Sequence, residues 1–253
     1  MSQHSDNPVI DAFFALHRGL LRQGPGSDAS TRHLLRLAGP LPSRPRILDA
    51  GCGPGGSALV LAAEADADLI AVDLHQPFLD ELDAEARRRG LADRIRTLNC
   101  SMDQLPFPDG HFTVIWAESS VYNIGFDRAL RIWRRLLGPD GVLVVTEAEW
   151  TTATPSPEAR AFWEGQYELR TADRNTAAAD AAGYDVAARH PLPEADWWDS
   201  YYTPLAARCD AADTGQPGMA EAVAMTRAEI AMRAEHGGDY GYTGYVLRPR
   251  REG

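Results

Sequence analysis

The stretch Arg46-Ile47-Leu48-Asp49-Ala50-Gly51-Cys52-Gly53-Pro54-Gly55-Gly56 decides the fold. An apolar strand runs into a glycine-rich turn, and an apolar helix begins near Ser57. Glycines let bare backbone approach a ligand, and the N–H groups at the start of the next helix favour negative charge. The stretch reads as a nucleotide site. The turn alone is ambiguous, because Gly51, Gly53 and Gly56 fit the dinucleotide spacing G-x-G-x-x-G while Gly51, Gly53 and Gly55 fit G-x-G-x-G.

Outward from this turn, strands and helices alternate with short links, the signature of a parallel sheet covered on both faces. Strands are expected at Arg46–Ala50, Asp68–Asp73, Arg94–Leu98, Phe112–Ala117 and Gly141–Glu147, with helices at Ser57–Ala65, Pro77–Gly90 and Phe126–Leu137. Upstream, residues 9 to 20 have helical spacing, and a second helix begins after Ser27 or Ser30. Downstream, a Thr/Pro-rich break precedes helices at Glu158–Leu169 and Ala172–Ala182, and a strand at Tyr184–Pro191. A long insert from Leu192 to Asp239 carries the aromatics Trp197, Trp198, Tyr201 and Tyr202 and a helix near Ala220–Glu235. Tyr240–Arg248 alternates as a last strand, followed by a short polar tail.

The 253 residues suit a single domain with an elaborated cap. The formal charge of −11, with every basic residue an Arg and no Lys, disfavours nucleic acid and anionic membrane as partners. It also excludes lysine-nucleophile chemistry. No apolar run approaches the roughly 20 residues of a membrane span, and the polar start lacks a signal-peptide pattern, so a cytoplasmic location is expected. The three cysteines form neither a disulfide framework nor a zinc pattern, and no metal site is expected.

Asp73 ends the second strand, where a carboxylate can accept hydrogen bonds from both ribose hydroxyls of an adenosine; capping the helix that follows is its other reading. The block Ser101-Met102-Asp103-Gln104-Leu105-Pro106-Phe107-Pro108-Asp109-Gly110-His111-Phe112-Thr113-Val114-Ile115 decides. With Ile47–Gly55 and Asp73, it resembles class I S-adenosylmethionine-dependent methyltransferases of the type 11 methyltransferase group. Thr113 departs from that pattern, which usually has Asp there. A narrower resemblance, in Trp116-Ala117-Glu118-Ser119-Ser120-Val121-Tyr122-Asn123-Ile124-Gly125-Phe126, looks like a bacterial subset. That subset shares the Gln23-Gly24-Pro25-Gly26-Ser27 turn, Tyr201-Tyr202-Thr203-Pro204 and a Tyr-Gly-Tyr ending like Tyr240-Gly241-Tyr242.

The resemblance implies an α/β fold: a Rossmann-like, seven-stranded, mostly parallel sheet in one domain over 1–253, with a helical substrate cap from 1–40, 151–170 and 192–236. It implies S-adenosyl-L-methionine as cofactor and S-adenosyl-L-homocysteine as product. Asp49 and the backbone of Gly51, Cys52 and Gly53 would hold the methionine portion, Asp73 the ribose, Leu74 an adenine face, and Met102 with Asp103 the adenine edge. Gly24, Ser101 and the Glu118 backbone would complete the cofactor contacts. The reaction expected is in-line methyl transfer to a small-molecule acceptor at oxygen or nitrogen, in specialised metabolism. A C-methyltransferase or an S-adenosylmethionine-binding cyclase is the alternative, and an NAD-dependent oxidoreductase a more distant one.

A sulfonium methyl is already activated, so the protein must align a nucleophile and exclude water; a hydroxyl or ammonium acceptor also needs a base. Glu118 and Tyr122, after the fourth strand, and Glu147, ending the fifth, are the catalytic candidates. His17, Tyr122, Asn123, Trp150, Trp197 and Tyr201 are the substrate-side candidates. Each has a plainer reading: Glu118 as a cofactor liner, Glu147 as a cap or ion-pair partner, His17 at a solvent edge. The insert's aromatics could equally form the core of the cap or a homodimer contact.

Overall fold

The computed structural model describes residues 7–250. Residues 1–6 of the first cap stretch and 251–253 of the polar tail lie outside the described residues. The strands are β1 Arg46–Ala50, β2 Asp68–Asp73, β3 Ile95–Asn99, β4 Phe112–Ala117, β5 Leu137–Trp150, β6 Arg170–Thr171, β7 Tyr184–Pro191 and β8 Tyr240–Pro249. The main sheet has the order β3-β2-β1-β4-β5-β8-β7, and the two-residue β6 pairs with the end of β5. β1 to β5 pair in parallel, while β8 runs antiparallel between β5 and β7.

The central strands are almost continuously apolar because helices cover both faces. Ile47, Val114, Trp116 and Val144 pack towards α2 (Asp28–Leu37), α3 (Gly56–Glu64) and α4 (Gln76–Arg88). Leu48, Ile115, Leu143 and Val145 pack towards α5 (Phe126–Arg134) and α7 (Ala172–Ala181). Ser27 caps α2, accepting from the Ser30 N–H at 3.1 Å, and Leu34 carries that helix into the sheet core. α2 therefore lies on the sheet, whereas α1 (Pro8–His17) packs on the later helices.

Those later helices are α6 (Pro157–Trp163), α8 (Glu194–Trp197), a π-helical turn at Trp198–Tyr202, α9 (Thr203–Ala211) and α10 (Met219–His236). They share a separate core with α1 and β8, in which Leu16, Tyr201, Leu205 and Ala222 meet Tyr240 and Tyr242. Among the described residues no helix is long and apolar enough to cross a membrane.

Several elements differ from the sequence expectation, among them the helix expected over Phe126–Leu137, which ends at Arg134 where β5 begins early at Leu137, and two differences bear on the site. β5 runs three residues past Glu147, because Glu149 and Trp150 find backbone partners in β8 on one side and β6 on the other. The helix expected over Glu158–Leu169 stops at Trp163, and Gly165 follows with φ +80°, a conformation only glycine adopts cheaply. Strand order reverses between β1 and β4, so the crevice for a ligand opens at their carboxyl ends, under the cap.

Candidate active site

A cavity of about 860 Å³ occupies that crevice, towards the upper end of the range for small-molecule sites. The loops after β1, β2 and β3 build one end, and the cap closes the other. At the sheet end Gly51 has φ +74°, and a Cβ there would stand 2.6 Å from Ser120 Cβ and 2.7 Å from Met102 Cε. The turn therefore needs glycine twice over, for its backbone and for the close approach. Asp73 lines the cavity with its carboxylate fixed: Oδ2 accepts from the Gly53 N–H at 2.9 Å and Oδ1 from the His75 N–H at 2.8 Å.

Around Asp73 the wall suits a flat, polar-edged ring. Leu74 lines the cavity and is 68% exposed, leaving its apolar side chain free to meet a ligand face. Opposite in sequence, Met102 lines the wall with its carbonyl held by Trp133 Nε1 at 2.8 Å. Asp103 accepts from Ser101 Oγ at 2.5 Å and pairs with Arg128 at 2.8 Å.

Asp49 stands behind the glycine turn and is completely buried. Ser57 Oγ donates to its Oδ2 at 2.8 Å, while Oδ1 has no partner. Burial pushes this carboxyl up to about 7, against the lowering effect of Ser57. An unsatisfied buried acceptor beside a glycine cradle fits a ligand that brings a donor or a positive charge. A smaller recess of about 50 Å³, on the other side of the Gln23-Gly24-Pro25 wall, contains Cys52 and Glu118.

Glu118 is fully engaged. Its Oε1 accepts from Thr31 Oγ1 at 2.7 Å and Trp116 Nε1 at 2.9 Å, and its Oε2 pairs with Arg22 at 2.6 Å. It does not line the large cavity. The next residue, Ser119, has φ +50°, held there by Thr146 Oγ1 on its N–H at 2.7 Å and by its own Oγ bonding to the Pro25 carbonyl at 2.8 Å. Such strain concentrates at ligand sites. It turns the chain so that Ser120, Tyr122 and Asn123 reach the cavity.

The cap end is built differently, from tyrosines of which three pair with a base. Tyr201 lines the cavity and meets His17 Nε2 at 3.3 Å. His17 Nδ1 lies 2.8 Å from the Phe13 carbonyl, which can only accept, so Nδ1 carries the proton. Burial lowers the His17 pKa, so the ring is neutral and its Nε2 accepts from Tyr201. Tyr167 donates to Glu147 at 2.5 Å, and Tyr202 donates to Glu229 Oε1 at 2.9 Å. Burial pushes Glu147 up to about 7, opposed by the Tyr167 bond.

The structure thus brings Tyr122, Asn123, Trp197 and Tyr201 onto one wall, with His17 and Glu147 one layer behind. Trp150 does not line the cavity; it packs against the cap core. Tyr167 and Glu229, both on the wall, are residues that sequence reasoning missed. Tyr167 sits in irregular chain after α6, and Glu229 is one acid among several on α10, so neither carries a motif. Among the described residues no group of His, Cys, Asp and Glu is arranged to hold a metal ion.

Residues 47–141 match a family model described as a methyltransferase domain. The chain is 33% identical over 122 residues to 27-O-demethylrifamycin SV methyltransferase of Amycolatopsis mediterranei (strain S699), covering 47% of this chain and 44% of that protein. It is 31% identical over 149 residues to sarcosine/dimethylglycine N-methyltransferase of Aphanothece halophytica, covering 55% of this chain and 53% of that one. It spans about half the length of these curated relatives. Among solved structures, a SAM-dependent methyltransferase from Thiobacillus denitrificans in complex with S-adenosyl-L-homocysteine superposes with a TM-score of 0.82 at 17% identity, covering 97% of this chain and 100% of that one. The [4+2]-cyclase SpnF superposes at 0.75 with 24% identity, covering 97% and 94%. The chain therefore has the Rossmann-like fold of the class I methyltransferases, and its residues 47–141 match a methyltransferase domain.

Proposed function

We propose that this chain is an S-adenosylmethionine-dependent methyltransferase acting on a small molecule, with oxygen or nitrogen as the accepting atom, and that it sits with the type 11 group and its Trp-x-Glu-x-x-x-Tyr-Asn-Ile-Gly-Phe subset. One observation carries the reading: a single cavity joins Gly51, Asp73, Leu74 and Met102 at one end to base-backed tyrosines at the other. The donor and the proton acceptor of a methyl transfer thereby share one enclosure.

When bound, the cofactor supplies a methyl group already activated on a sulfonium sulfur. Asp73 would hold the ribose, Leu74 and Met102 the adenine, and Asp49 with the turn from Gly51 to Gly53 the methionine portion. The open Oδ1 of Asp49 and the Cβ-free cradle at Gly51 fit these tasks. The cap covers one end of the crevice, where enclosure would hold acceptor and donor in line.

The acceptor's proton leaves through Tyr167 and Glu147. As the Tyr167 oxygen takes that proton, its own passes to Glu147 across the 2.5 Å bond. A carboxyl poised near 7 suits this exchange at neutral pH. Tyr201, oriented by His17, positions the acceptor from the opposite segment of the cap.

Titration with S-adenosylhomocysteine and NADH tests the reading, followed by isotope-labelled methyl transfer. Saturable NADH binding without S-adenosylhomocysteine binding would overturn it in favour of an oxidoreductase. Tight cofactor binding with no label in any product would favour a cyclase or binding protein.

A further inference from the structure

The cap end of the cavity is unbalanced in charge. Glu229 reaches its wall, and its one hydrogen-bond partner is the Tyr202 hydroxyl. No Arg or His forms an ion pair with it among the described residues. The neighbouring cations are committed elsewhere: Arg128 to Asp103 at the sheet end, and Arg233 to Glu194 and the Tyr240 carbonyl, with its guanidinium 3.8 Å from the Trp197 ring centre. Burial holds the Glu229 carboxyl above its ordinary range, opposed by the Tyr202 bond, and a cation beside it would favour its charged form.

The hydrogen-bonding character is unbalanced in the same sense. Tyr167, Tyr201 and Tyr202 each commit their proton to a buried base, so towards a ligand their oxygens only accept. The indole N–H groups of Trp163 and Trp197 are buried donors without a hydrogen-bond partner in the same lining. What remains is aromatic surface and acceptor oxygens, with the Tyr122 and Tyr242 hydroxyls and the Asn123 and Gln166 amides as donors, and Glu229 as a carboxylate with no ion pair among the described residues. Such a lining is complementary to a ligand that donates hydrogen bonds and carries positive charge, and aromatic faces attract such a charge further. A carboxylate or phosphate placed there would meet Glu229 with no cation to offset it.

We propose that the acceptor substrate carries a protonated amine, seated among Glu229, Tyr201, Tyr202 and Tyr242 at the cap end of the cavity. The inference rests on the methyl-transfer reading, because it assigns the cap end to the acceptor. It separates this chain from methyltransferases of neutral alcohols, although both classes use a proton acceptor.

Benzylamine, benzyl alcohol and benzoate form a matched set of cationic, neutral and anionic probes. Each is titrated by calorimetry into the full chain saturated with S-adenosylhomocysteine. Benzylamine should bind at least about tenfold more tightly than benzyl alcohol, and benzoate most weakly. Glu229→Gln should erase most of the preference for the amine and leave S-adenosylhomocysteine affinity unchanged. Equal or weaker binding of the amine than the alcohol, or no amine binding below about 10 mM, overturns the proposal on the wild-type protein alone. Failure of S-adenosylhomocysteine itself to bind would instead strike the methyl-transfer reading.

Discussion

The two ends of the cavity are made by different means. The sheet end is backbone on rigid elements: a glycine turn, two N–H groups fixing Asp73, and a carbonyl pinned by Trp133. The cap end is side chain, with tyrosines drawn from the irregular chain after α6 and from the π-helical turn, and backed by His17, Glu147 and Glu229 from three other elements. Backbone geometry tolerates little change, whereas side chains can be exchanged one at a time. The donor end is therefore constrained and the acceptor end adjustable within the same enclosure.

The sharpest way to break this division is to remove the base behind Tyr167. Glu147→Gln should lower turnover by about a hundredfold, the usual scale for a lost proton acceptor. S-adenosylhomocysteine affinity should stay within about twofold, and the rate should lose its rise through pH about 7. An equal loss of cofactor affinity would show that the ends are not independent.

Glu118 probes the sheet end from behind. Because its carboxylate closes a buried pair with Arg22 and satisfies Thr31 and Trp116, Glu118→Gln should cost about 2–3 kcal/mol of stability in urea denaturation. Its effect on turnover should come through that loss, so a variant of normal stability and collapsed turnover would return Glu118 to a direct role.

Asp73→Ala should weaken S-adenosylhomocysteine binding by at least about tenfold, as charge-assisted hydrogen bonds are lost, and leave benzylamine binding intact. Unchanged cofactor affinity would refute the ribose assignment.

The smallest effect is one of pH. Asp49 has a folded value of about 7, above its ordinary range, so the ligand-free protein gains stability from it at low pH and loses that as pH rises through about 7. A ligand bringing an ammonium prefers the ionised form. S-adenosylhomocysteine affinity should therefore climb severalfold up to about pH 7, then decline only in the alkaline range where the ligand's own α-ammonium deprotonates. Asp49→Asn should flatten the acid limb, and calorimetry in buffers of different ionisation enthalpy measures the proton released.

Legibility in the sequence followed the same division. β1, β2 and β4 occur where length places them, because buried parallel strands declare themselves in short apolar runs, and β7, an antiparallel edge strand, occurs where alternation places it. The donor end is made of short local motifs after β1, β2 and β3, so its turn and the block after β3 were readable. The cap is not. Glu118 and Arg22 are 96 residues apart, and nothing local indicates that they pair. β5 extends past Glu147 only because β8 and β6 return beside it, and that pairing is non-local too. The Tyr167–Glu147 and Tyr202–Glu229 pairs depend on how α6 and α10 dock, which periodicity does not encode.

β8 belongs to both compartments. Val246 and Leu247 lie in the cores of the sheet, while Tyr240 and Tyr242, a few residues earlier on the same strand, lie in the core of the cap. Neither hydrophobic unit can close before this strand is in place, although it follows every other described element along the chain. Folding should therefore be all-or-none, and hydrogen exchange should report one opening event shared by β8, its sheet neighbours and the cap.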